Sequence, residues 1–101
     1  GMAGSGPAYV AVVAEALADG GVRVGLDRSL ARDVARQLLL ASARLLETKY
    51  PSELKDEVSS AGGTAIAGVR TLEKHRLRFA LMDAIEEATR RAGELSREDG
   101  K

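Results

Sequence analysis

The sequence predicts an all-α fold, a helical bundle of about five helices, on three observations. Apolar residues recur at three- and four-residue spacings over long stretches, period-two alternation of useful length is missing, and the two prolines and the paired glycines fall at the edges of the periodic stretches. No segment reads as a repeat or a low-complexity linker, so residues 1–101 are taken as one domain. Gly1 ahead of Met2 reads as the remnant of a removed tag, which makes Met2 either a start codon or the edge of a piece cut from a longer chain.

The first helix is expected to begin at Ser5 as N-cap, with Pro7 in its first turn, and to run to about Asp19 before Gly20-Gly21 ends it. Tyr9, Val10, Val12, Val13, Ala16 and Leu17 surround its axis, a pattern that asks for burial on all sides. A second helix should start after Asp27 and reach roughly Glu47, with Leu30, Val34, Leu38, Ala41 and Leu45 as its stripe and Leu39, Leu40 and Leu46 widening it. Pro51 opens a short third helix, with Ser52 serving its first turn and Leu54 and Val58 marking one face. A Ser59-Ser60-Ala61-Gly62-Gly63 turn follows, then a fourth helix from about Thr64 to Lys74 carrying Ile66, Val69 and Leu72. The fifth, Leu77 to Arg97, alternates Leu81, Ile85, Ala88, Ala92 and Leu95, and residues 97–101 should fray.

Composition removes several function classes. Fifteen basic residues balance fifteen acidic ones, and Tyr9, Tyr50 and Phe79 are the only aromatics, so the chain has neither a basic footprint nor a stacking platform for nucleic acid. No cysteine and a single histidine, His75, argue against disulfides, thiolate chemistry and a metal site. No secretory signal is visible and the longest apolar run is too short for a bilayer, so no membrane partner is expected and the cytoplasm is the default compartment. About a hundred residues bury only some two-thirds of their extended surface, too little to enclose an all-round apolar helix in one copy. A second copy packing its first two helices across a two-fold axis would enclose it.

The Ser-Ser-Ala-Gly-Gly turn is the one segment built for chemistry. Glycines permit positive φ, and the helix after the turn opens with N–H groups that lack intrahelical partners, a cradle for a carboxylate or phosphate. Leu54-Lys55-Asp56-Glu57-Val58-Ser59-Ser60-Ala61-Gly62-Gly63-Thr64-Ala65 resembles the signature of pyrroline-5-carboxylate reductases. Gly4-Ser5-Gly6-Pro7-Ala8-Tyr9, Glu15-Ala16-Leu17-Ala18-Asp19-Gly20-Gly21-Val22-Arg23-Val24-Gly25-Leu26 and Ala80-Leu81-Met82-Asp83-Ala84 resemble the same family's C-terminal half, in the same order.

The resemblance implies a helical domain like the C-terminal domain of 6-phosphogluconate dehydrogenase, interleaved in a homodimer. It implies NAD(P)H-dependent reduction of 1-pyrroline-5-carboxylate to L-proline, with hydride chemistry carried by the cofactor. Ser60, Gly62, Gly63, Thr64 and Ala65 would hold the substrate carboxylate, the Ser60 hydroxyl aiding backbone N–H groups. These reductases place a Rossmann domain before this region. Gly4-x-Gly6 cannot replace it, because Tyr9 stands at the third glycine and no strand precedes it. The chain is therefore expected to bind no cofactor alone, to be inactive when isolated, and to need a separate or missing Rossmann partner. Two residues depart from the family pattern: Ala61 stands where proline is usual, and Ala65 where threonine is usual, so no catalytic residue is assigned.

Other conspicuous residues have plainer readings. Ser59 serves local amides, Lys55 and Asp56 are solvated helix charges, and His75 is a connector residue. Glu15 should pair with Arg23, Arg32 or Arg36 across the dimer, and Glu86 and Glu87 with Arg90 and Arg91 along the last helix. Two alternatives stand beside the reductase reading: a stand-alone homodimeric binding or scaffold module, and a reductase domain for another imine or keto acid.

Overall fold

The computed structural model describes residues 2–99, which form five α-helices: α1 (Met2–Arg23), α2 (Arg28–Leu45), α3 (Pro51–Ala61), α4 (Gly63–Lys74) and α5 (Leu77–Asp99). No strand occurs among the described residues. The all-α expectation holds, with α1, α4 and α5 longer than their sequence-based bounds and α2 ending at Leu45 rather than near Glu47.

α1 departs most. It begins before Ser5 and takes Pro7 inside it. The proline removes the bond that its N–H would give to the Ala3 carbonyl, and Ala3 lies exposed in the first turn, where that carbonyl is open to solvent. Gly20-Gly21 does not stop the helix either. Its end is a Schellman turn: the Leu26 N–H donates to the Gly21 carbonyl at 2.9 Å, the Gly25 N–H to the Val22 carbonyl at 3.0 Å, and Gly25 takes a φ of 111°. The stop signal was the later glycine, the one that must adopt a left-handed conformation.

α2 starts where the sequence placed it. The Asp27 carboxylate accepts from the Ser29 and Leu30 N–H groups at 3.1 and 3.4 Å, satisfying two of the helix's orphan donors. At α3 the expected role of Ser52 falls to Glu53, whose carboxylate accepts from the Tyr50 N–H at 3.4 Å. α4 closes through Arg76, a non-glycine residue at φ 59°, whose N–H donates to the Glu73 carbonyl at 3.1 Å. α5 stays helical through Arg97 to Asp99 rather than ending at Arg97, while Gly1, Gly100 and Lys101 lie outside the described residues.

α1 and α2 fold back on each other as a hairpin whose core is Ala18, Ala31 and Ala35, with Val22 against it. α3 packs on α4, and α5 touches α1 and α4. One chain therefore buries little. Its accessible surface is 8233 Å², where a folded monomer of 10.6 kDa exposes about 5,500 Å². Its radius of gyration is 16.6 Å, where a compact domain of this length has about 13 Å. The first helix is consequently not enclosed within one copy: Val10, Val12 and Leu17 are 53%, 61% and 43% exposed.

The surplus has a direction. At about 100° per residue, Leu30, Val34, Ala41 and Leu45 line one flank of the α2 face that seats α1, and Arg28, Arg32 and Arg36 line the other. In α1, Val10, Val13 and Leu17 lie to one side of Ala18, and Glu15 and Asp19, with Val12 beside them, to the other. The hairpin thus has an apolar side and a charged side.

Candidate functional site

The predicted five-residue turn is in fact one residue long. Ser59, Ser60 and Ala61 complete α3, Gly63 opens α4, and Gly62 alone links them. Gly62 is extended, at φ −174° and ψ 161°, a conformation open to any residue, so positive φ is not what this junction needs.

Two helix ends meet there. The last carbonyls of α3 and the first N–H groups of α4 lack helical partners, and Gly62 offers no side chain to cap the latter. The N–H groups of Gly63, Thr64 and Ala65 are the free donors, at the positive end of the α4 dipole. Ser60, Gly62, Gly63 and Thr64 are exposed, and Ser59 and Ala65 half-buried. The structure therefore gathers the five sequence-predicted residues at one open helix start.

Ser60 is spent differently from the expectation. Its Oγ donates to the Asp56 carbonyl at 2.7 Å, one turn back in α3, so its only proton points into its own helix. Thr64 and Ala65 are successive positions of α4, so their side chains leave the axis about 100° apart and the Thr64 hydroxyl does not fall at the Ala65 place. Lys55 pairs with the neighbouring Asp56 at 3.1 Å, and Lys49 clasps Glu57, tying the α2–α3 connection to α3. That clasp carried no signal in the sequence, since eight residues separate its partners.

The remaining candidates lie apart. His75 is exposed at the C-cap of α4 and donates its backbone N–H to Thr71. Gly4 and Gly6 lie within α1, so no strand–turn–helix unit forms around them to cradle a dinucleotide. No group of three or more His, Cys, Asp or Glu side chains gathers as a metal site among the described residues. Arg90 pairs with Glu87 and with Glu94, and Arg91 with Glu94. The Arg90 hydrogen bond holds the Glu87 carboxyl below its usual range, and the same contact raises Arg90. Sequence reasoning paired these arginines with the glutamates before them and missed Glu94, one turn further on. It also missed a cavity of about 270 Å³ between α1 and α2, where Glu15 and Asp19 face Arg28, Arg32 and Arg36. Among the described residues only Asp19 of those two acids is paired, with Arg28 at 2.5 Å.

Five helices that expose more apolar surface than one copy can hide, with an uncapped helix start on the outside, define a helical association domain. The chain belongs to the pyrroline-5-carboxylate reductase dimerisation family, whose model matches residues 1–95. It is 52% identical over 95 residues to the pyrroline-5-carboxylate reductase of Thermus thermophilus, covering 94% of this chain and 36% of that protein. It is 52% identical over 98 residues to the pea (Pisum sativum) reductase, covering 95% of this chain and again 36% of the relative. The crystal structure of Plasmodium falciparum pyrroline carboxylate reductase with NADP bound superposes with a TM-score of 0.80 at 35% identity, over 86% of this chain and 36% of that one. The chain thus spans about 36% of the length of the curated relatives it matches. No helix among the described residues is long and apolar enough to cross a membrane.

Proposed function

We propose that this chain is the dimerisation and substrate-binding domain of a pyrroline-5-carboxylate reductase, working in the cytoplasm on the last step of proline biosynthesis as an interleaved homodimer. The family match over residues 1–95 carries the reading. The uncapped α4 start supports the site: the N–H groups of Gly63, Thr64 and Ala65 hold the substrate carboxylate, and Ser60 turns its proton from the Asp56 carbonyl to the ligand, exchanging a neutral hydrogen bond for a charge-assisted one. NAD(P)H, when bound, supplies the hydride, and a Rossmann domain outside these residues holds it. This chain's part is to fix the ring's position and neutralise its carboxylate, since orientation alone removes several kcal/mol of barrier.

With Ala65 where the family usually has threonine, no side-chain hydroxyl stands at that place, and proton delivery to the ring nitrogen falls to water. The same departure favours a second reading, a homodimer that keeps the fold and binds proline-like acids without reducing them. Mixing this chain with the nucleotide-binding domain of the Thermus thermophilus reductase separates the two. NADPH oxidation dependent on 1-pyrroline-5-carboxylate is the expected result. No oxidation from a pair that forms a complex and binds NADPH would overturn the reductase reading and leave the binding module.

A further inference from the structure

The charged side of the α1–α2 hairpin holds a cavity of about 270 Å³ that the functional reading does not use. Its floor is methyl groups, those of Ala14, Ala18 and Ala35, the last two 4% exposed each. Small residues at the helix crossing leave the space, and long charged side chains rise around it. One end is closed by the Asp19–Arg28 pair at 2.5 Å. At the other end Arg36 leans back to Asp33 at 3.8 Å, too long for a good hydrogen bond, while Glu15 and Arg32 enter no ion pair among the described residues. A carboxylate on α1 and a guanidinium on α2 thus border one apolar-floored space without meeting each other.

We propose that this cavity binds a small zwitterion, an α-amino or α-imino acid, whose ammonium meets Glu15 and whose carboxylate meets Arg32, with Arg36 free to turn from Asp33 and join it. A simple anion would be repelled by Glu15, and a simple cation by the arginines. A ligand carrying both charges across a short aliphatic body satisfies both walls and covers the alanine floor. Leu30, Val34, Ala41 and Leu45 lie on the opposite flank of α2 from Arg28, Arg32 and Arg36, so a second copy seated on those four residues leaves the arginines uncovered. This site stands apart from the α4 start and does not depend on the reductase reading.

The test is amide NMR of the ¹⁵N-labelled chain titrated with L-alanine, propionate or ethylammonium, in the wild type and in Glu15→Gln and Arg32→Gln. Both substitutions fall on exposed side chains, and the unchanged spectrum elsewhere reports their folding. The expected result is saturable shifts confined to residues 14–19 and 28–36 with L-alanine, weakened about tenfold by either variant and at least about tenfold weaker with either singly charged probe. Shifts confined to residues 60–66 would report the α4 start and would overturn this proposal without touching the other. Equal binding of propionate, shifts indifferent to both variants, or no saturation at roughly 50 mM L-alanine would each overturn it as well.

Discussion

Gly21 of α1 and Ala31 of α2 stand so close that a β-carbon on the glycine would lie 3.2 Å from the alanine Cβ. The hairpin closes on that contact, with the Leu26 side chain equally near. Gly20, one residue earlier, faces open space. Gly20→Ala is therefore expected to stabilise the chain by roughly 0.5–1 kcal/mol, the ordinary gain for alanine over glycine inside a helix. Gly21→Ala should lose that gain and destabilise by about 1 kcal/mol, because the Ala31 backbone cannot step aside as a flexible side chain can. Thermal melting reads both, about 4–8 °C per kcal/mol for a domain of this size.

The two left-handed positions should respond in opposite senses. Gly25→Ala puts a side chain at φ 111° and should cost about 1–2 kcal/mol. Arg76→Gly relieves a side chain already held at φ 59° and should gain about 1 kcal/mol. Denaturant midpoints of the two variants check this, and a loss at Arg76 would mean that its side chain does work beyond ending α4.

Asp27→Ala removes the acceptor for the Ser29 and Leu30 N–H groups and should destabilise by about 1 kcal/mol. Asp27→Asn, which keeps an acceptor oxygen, should recover most of the loss, and chemical denaturation of the three proteins decides it.

Glu87 gives a pH dependence of defined sign. Its folded-state pKa lies below the unfolded value because Arg90 hydrogen-bonds the charged carboxylate. The stabilisation is thus present above the unfolded carboxylate pKa and is lost as pH falls through the lower, folded one. The pair is solvent-exposed, so the effect is small and screened by salt. Melting temperature followed from about pH 6 to about pH 3 should fall less steeply in Glu87→Gln than in the wild type, and about 1 M salt should erase the difference.

How much of this was legible in the sequence depended on the range of the signal. Asp27 and the heptad-like stripe of α2 are local, and the structure places them where the pattern did. The end of α1 was misread because Gly20-Gly21 looks like a stop, while α1 ends where the chain goes left-handed, and of its three nearby glycines Gly25 alone does so. Pro7 was misplaced for a related reason: it marks a first turn in most helices, but an exposed carbonyl one turn earlier tolerates it inside. At the candidate site the residues were legible and their geometry was not. Ser59 to Ala61 carry no helix-breaking residue, so α3 runs on to Gly62 and Ser60 bonds within it. The cavity between Glu15 and Arg32 arises from two helices meeting, which no single periodicity records.

The central claim is that the apolar side of this chain is the face of a homodimer. Light scattering on the eluting peak of a sizing column, across a range of micromolar concentrations, tests it most directly, with Val34→Asp as the companion because Val34 lies mid-stripe on α2 and is 48% exposed in one copy. The account predicts twice the 10.6 kDa chain mass for the wild type and dissociation or loss of fold for the variant. A wild-type particle of 10.6 kDa at every concentration, folded and unchanged by Val34→Asp, would contradict it.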